Sequence, residues 1–163
     1  MATEWITDIA EEIKQKNHEA AEDYGRAQHY AGIVAEAGKG FFMALVSCLQ
    51  ENVDALRSQL QGDLTAAEMA LQTIQPGEVK ITRARFPWVD AHLMHREDTL
   101  MLDYAKGLGA GGDPTFDRKT RSYVLRVAPD DSLYVEDAFS DSAKRYTKPE
   151  ELGREITEIP FGI

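Results

Sequence analysis

The chain has 163 residues, of which 43% are hydrophobic and 28% charged, and it carries a formal net charge of −10 with a pI near 4.8. That length supports one substantial core, or a helical arm with a small sheet region. The negative balance argues against a nucleic-acid partner, because affinity for a phosphate backbone needs a concentrated basic surface.

The N-terminus, MATEWITDIAEEIK, is acidic and amphipathic. It lacks the basic start and apolar centre of a secretory signal. Thr3 is placed to cap a first helix, and Glu4 complements the positive end of its dipole. Ile6, Ile9 and Ile13 then open an apolar stripe that continues through Ala20, Tyr24, Ala27, Ala31 and Val34. Steps of three and four residues mark a helix packed lengthwise on another helix. Small residues and Asn17 make this seam weaker than a leucine zipper and suit close approach in a hairpin or a dimer.

At Ala37-Gly38-Lys39-Gly40 two glycines each raise the cost of helix by about 1 kcal/mol. The stripe keeps its phase across them, through Phe41, Leu45 and Cys48 to Leu56 and Leu60. Either the glycines turn the chain between antiparallel helices, or they lie in one long helix where a neighbour packs closely. The turn is the preferred reading. Cys48, the single cysteine, can form neither an internal disulfide nor a multi-cysteine zinc site and reads as a small buried apolar residue. Its surroundings, FFMALVSCL, are too short to span a membrane, and a cytoplasmic setting with no membrane partner is expected.

After a break at Gly62-Asp63, Thr65 and Glu68 form a capping box. This predicts a short helix through Met69, Leu71 and Ile74, stopped by Pro76-Gly77. Residues 1–76 are thus read as a helical region. Residues 77–163 form a sheet region with a C-terminal helix, possible as one continuous domain with the first. Strands are expected over Val79–Phe86, Ala91–His95, Thr99–Ala105, Arg121–Ala128 and Ser132–Ala138, with turns at Arg96-Glu97-Asp98 and Pro129-Asp130-Asp131. Tyr123, Leu125 and Val127 share one face, as do Leu133, Val135 and Phe139. Short connections favour an antiparallel meander of four to five strands. Thr147 and Pro149 then start a final helix, whose side Leu152, Ile156 and Ile159 covers the sheet. The expected class is α+β.

Three patterns carry possible chemistry. Residues 107–112, GLGAGG, match the spacing of a dinucleotide fingerprint. That site needs a helix immediately after the glycines to hold the pyrophosphate, whereas DPTFDRKTRSYVLRV reads as strand. The glycines are therefore expected in a long hairpin connection, and a 107–119 lid flanked by Lys106, Arg118 and Lys119 is an alternative role. With Phe86, Trp88 and Tyr104 these would line a small-molecule or anion site between sheet and helix. The second pattern is Asp90, His92 and His95 within 90–98, a candidate metal-dependent hydrolase centre. On a strand, however, His92 and His95 point to opposite faces. The third comprises His18 and His29 on the first helix. Neither has a glutamate three residues earlier, so the inward Glu-x-x-His pairs of a di-metal bundle are missing. No serine sits in a nucleophile elbow, and the basic side chains of the sheet half are expected in cross-strand pairs with neighbouring carboxylates.

With no catalytic constellation and no cofactor motif, the leading expectation is an interaction or adaptor protein. Its helical half would associate with a second copy, as a homodimer, or with a partner protein. The expected contact residues are Ile6, Ile9, Ile13, Tyr24, Val34, Phe41 and Leu45.

Overall fold

A computed structural model of the chain describes residues 3–60, 69–83, 88–107, 117–138 and 144–161. The capping box Thr65/Glu68, Phe86, Phe139 and most of the glycine segment fall outside the described residues. A single helix, α1, runs from Glu4 to Gln59, about 84 Å at 1.5 Å per residue. Seven strands follow: β1 (Met69–Gln75), β2 (Glu78–Arg83), β3 (Trp88–Arg96), β4 (Thr99–Gly107), β5 (Asp117–Val127), β6 (Leu133–Asp137) and β7 (Arg145–Tyr146), then α2 (Pro149–Phe161). They form one antiparallel sheet in chain order, the meander that short connections favour.

Both helices lie on one face of this sheet. Val79, Ile81, Val89, Ala91, Leu93, Leu100, Leu102, Tyr123, Leu125 and Val135 alternate onto it and are buried with Phe41, Phe42, Leu45, Leu49 and Val53 of α1 and Leu152 and Ile156 of α2. Fully burying such a side chain contributes about 1.5–3 kcal/mol, so this layer dominates stability. The opposite face carries Lys80, Asp90, His92, Asp103, Arg118 and Arg126 in cross-strand ion pairs, as expected of a sheet with one solvated side.

Three expectations need correction. The chain does not turn at residues 38–40, because α1 is continuous there. A Cβ on Gly38 would stand 3.2 Å from Leu125 Cδ1 and 3.5 Å from His95 Nε2. The missing side chain thus lets the sheet approach the helix axis, and the packing gained outweighs the propensity lost. At Gly153 the same device joins the helices, since a Cβ there would meet Cys48 Cβ at 3.2 Å. Asn52 Nδ2 donates to Thr157 Oγ1 at 3.0 Å beside it.

Second, Met69–Gln75 is a strand and not a helix. Its ladder to β2 satisfies backbone groups that a short isolated helix would satisfy less well, and the tertiary pairing overrides the local signal. Gln75-Pro76-Gly77-Glu78 is the hairpin turn, with Gly77 at φ +84. Third, the sheet has seven strands and not four or five. β1 joins it where the capping box predicts helix, and β7 is only two residues long, too short to show an alternation.

Gly38 and Gly40 give a paired prediction. Gly38→Val forces Leu125 and His95 apart and costs about 1–3 kcal/mol. A Cβ at Gly40 would meet nothing within 4 Å, so Gly40→Ala gains up to about 1 kcal/mol from helix propensity. Urea denaturation monitored by far-UV circular dichroism should show midpoints moving in opposite directions.

Candidate functional surface

The body of the protein leaves half of α1 unused. Side chains from Thr3 to His29 are all exposed, and Tyr30 is the first to be partly covered. Ahead of it, about 39 Å of helix projects from the sheet. Its seam is bare: Ile6 is 51% exposed, Ile9 47%, Ile13 54% and Tyr24 66%, and neighbouring Trp5 is 58% exposed. The structure divides the expected contact residues at this point. Phe41 and Leu45 are spent on the sheet, Val34 is partly buried against the core, and the other four are free. At the junction His29 Nε2 lies 3.0 Å from Asp131 Oδ2 in the β5–β6 turn. Both side chains are more than half exposed, so this tie contributes little.

Two cavities flank α1 where it leaves the sheet. One, of 690 Å³, is lined by Tyr30, Ala31, Val34, Val127 and Tyr134 among others. The other, of 730 Å³, lies between Phe42, Met43 and Val46 of the helix and Pro76, Gly77 and Val79 of the first hairpin. α1 also contains an 18-residue window with mean hydropathy 1.5, apolar enough by length and composition to cross a membrane. The helix residues that are buried, from Gly38 to Val53, pack on the sheet and α2.

The small-molecule site expected from the sequence is not assembled around its named residues. Trp88 pairs with Gly107 and belongs to the same face as Asp90 and His92. Tyr104 pairs with Ala91, on the helix-covered face. Arg118 and Lys119 lie in β5 rather than in a loop, and their side chains take opposite faces, with Lys119 paired to Tyr104 and Arg118 to Ala105. Lys106 pairs with Val89 on the helix side. Residues 108–116 of the expected lid lie outside the described residues. Gly107 itself has a packing role: a Cβ there would fall 2.9 Å from Trp88 Cδ1. β4 and β5 are antiparallel neighbours, the arrangement of a hairpin and not of a dinucleotide-binding βαβ unit.

The histidine-rich segment is also divided by the pleat. Asp90 takes Arg118 at 3.0 Å and Lys80 at 3.7 Å on the solvated face, where His92 Nδ1 is 3.6 Å from Glu78 Oε1. Arg118 reaches on to Asp103 at 3.0 Å. His95 points the other way, stacked on Phe42 with ring centroids 5.5 Å apart. Its Nε2 lies 3.0 Å from the carbonyl oxygen of Glu97. Among the described residues no three histidine, cysteine, aspartate or glutamate side chains are grouped to hold a metal ion. The Cys48 thiol is pushed up from its usual range by burial and by Glu150 and Glu51, the opposite of what activates a nucleophile.

One polar cluster was not legible in the sequence. At the β5–β7 side, under α2, the Tyr123 hydroxyl donates to Glu155 Oε2 at 3.0 Å, Tyr146 packs edge-on against Tyr123, and Arg121 reaches buried Asp137 at 3.5 Å. Its members come from three strands and a helix, and only Tyr123 and Arg121 are close in sequence. Burial, then the Glu155 carboxylate, raises the phenol pKa of both tyrosines. The cluster is a structural acid–phenol network, with both phenols held neutral.

Its pH signature follows from that shift. The folded state holds the phenolic protons more tightly than the unfolded chain, so the stabilisation is fully present below about pH 10, the ordinary tyrosine value, and declines above it. Ultraviolet titration should show Tyr123 and Tyr146 ionising late, together with alkaline unfolding. Tyr123→Phe should remove one late-titrating group and cost about 1 kcal/mol. No protein-family model, curated protein or solved structure matches this chain.

Proposed function

We propose that the protein is an interaction module whose docking element is the free half of α1, with the sheet and α2 acting as the rigid base that presents it. The observation that carries this reading is continuity of the seam. Gly38, Phe41 and Leu45 lie in phase with Ile6, Ile13 and Tyr24, and the same helix face that is buried beyond Tyr30 is bare before it. Isolated large apolar side chains on a surface are ordinary, whereas a contiguous row marks a contact surface. An unpacked helix of this length is also marginal in water, because most helical stability comes from tertiary packing of an apolar face. A partner covering Ile6, Ile9, Ile13 and Tyr24 supplies that packing.

Photo-crosslinking in the full chain tests this reading without assuming which partner binds. A benzophenone amino acid at Ile9 or Ile13, on the seam, should give protein adducts. The same probe at Gln15, on the opposite side of the helix, should give at least roughly tenfold less, since facing residues recur every three to four positions. Equal yields on both sides, or none on either, would overturn the docking role.

A further inference from the structure

Resting on that reading, we propose that the partner is a second copy of this chain, with the two arms paired antiparallel in one register. The seam reads as an unbroken heptad, in which Ile6, Ile13, Ala20, Ala27, Val34 and Phe41 fall at one core position and Ala10, Asn17, Tyr24, Ala31, Gly38 and Leu45 at the other. Three features of the molecule select how two such seams meet.

The first is the position of the body. Beyond Tyr30 the seam faces the chain's own sheet, with Leu125 and His95 at Gly38. A parallel partner helix would have to continue into that volume. An antiparallel partner runs the other way, and its N-terminus stops where the sheet begins.

Charge is the second. Glu12 and Lys16 pair within the arm at 3.1 Å, and Asp23 pairs with Arg26 at 3.3 Å; of these, Lys16 and Asp23 stand on the flank beside Ile13 and Ala20. Align Ile13 with the partner's Tyr24, Ala10 with the partner's Ala27, and Asn17 with the partner's Ala20. Lys16 then faces the partner's Asp23 across the seam. The twofold axis repeats this opposite-sign contact, so two cations and two anions are paired. Sliding back one heptad brings Lys16 against the partner's Lys16 and Lys14 against the partner's Lys14. Sliding forward drives Ile6 into the sheet at the partner's Gly38. The intrahelical pairs are exposed and worth little, so they yield readily to the four-charge arrangement.

Length and area supply the third. In the selected register Ile6 lies beside the partner's Ala31, at the mouth of the 690 Å³ cavity lined by Ala31 and Val34, and Ile9 covers the partner's Tyr30. The free arm is therefore as long as the surface it covers. The exposed seam side chains amount to on the order of 500 Å² of apolar surface per arm. A pair then covers about 1,000 Å², at the lower edge for a specific complex, which suits a dimer with Kd on the order of micromolar. Asn17, next to the twofold axis, is the kind of lone core polar residue that fixes register at some cost in affinity.

Sedimentation equilibrium or light scattering on the full chain decides the matter. The expected particle is twice the 18.2 kDa monomer at high concentration and dissociates on dilution. Lys16→Glu and Asp23→Lys should each weaken association roughly tenfold by setting like charges against each other at two symmetric places. Mixing the two single variants should restore it, because each chain then offers the charge the other lacks. The double variant alone should also dimerise nearly as well as the parent. Both substitutions lie on the exposed arm, and an unchanged urea midpoint confirms that the body is folded. If mixing fails to restore association, this register is wrong. A monomer at all concentrations, with seam-selective adducts still forming on another protein, would overturn the dimer and leave the docking role standing. A monomer without selective adducts would overturn both.

Discussion

The contact between α1 and the sheet at Gly38 organises this molecule. Without a side chain at that position, Leu125 and His95 stand 3.2 and 3.5 Å from where a Cβ would lie. Phe41, Phe42, Leu45, Leu49 and Val53 then seat successively in the core. The helix direction is set over these residues. A helix is stiff over several turns, so its fixed half determines where the free half points. Gly153 repeats the device where α2 meets α1 at Cys48. Both helices thereby lie close enough to share one apolar layer.

The sheet serves that arrangement and also limits it. Its antiparallel meander alternates apolar residues toward the helices and ion-paired residues toward solvent. The pleat separates groups that look adjacent along the chain: His92 from His95, Arg118 from Lys119, and Trp88 from Tyr104 on the neighbouring strand. Each member of these pairs is accounted for by local packing or ion pairing, or lies on the wrong face to converge with the other. On the solvated face Lys80, Asp90, Asp103, Arg118 and Arg126 serve cross-strand pairing. Among the described residues the one row of exposed large apolar side chains lies on the α1 arm, with Met43, Ile74, Trp88 and Met101 exposed elsewhere.

The stripe of three- and four-residue steps was legible from Ile6 onward, as were the sheet half and the Pro149–Phe161 helix. Local periodicity does not depend on distant partners, whereas capping chemistry proved weaker: the Thr3 side chain makes no cap hydrogen bond, and the helix expected from the Thr65/Glu68 box is a strand from Met69 onward. The glycine fingerprint could also be judged locally, since the strand-like alternation after it already spoke against a phosphate-holding helix, and β5 is that strand. The candidate pocket was less accessible. Placing Trp88 beside Tyr104 requires knowing the register of β3 on β4, and a one-residue difference reverses the face. The Tyr123–Glu155 network was invisible for a related reason, since it joins residues 32 positions apart.

By itself, the sequence determined the α+β class, the order of most elements, the amphipathic phase of α1 and the acidic, single-cysteine character of the chain. These follow from periodicity and composition, which short-range geometry converts directly into structure. Tertiary structure alone decided whether Gly38 bends the chain or admits a neighbour, and whether Met69–Gln75 joins a helix or a sheet. It also decided which half of the stripe is buried. Each of these rests on a contact between segments far apart in sequence. The same apolar stripe is core at Leu45 and open surface at Ile13 because only one of them has a sheet beside it.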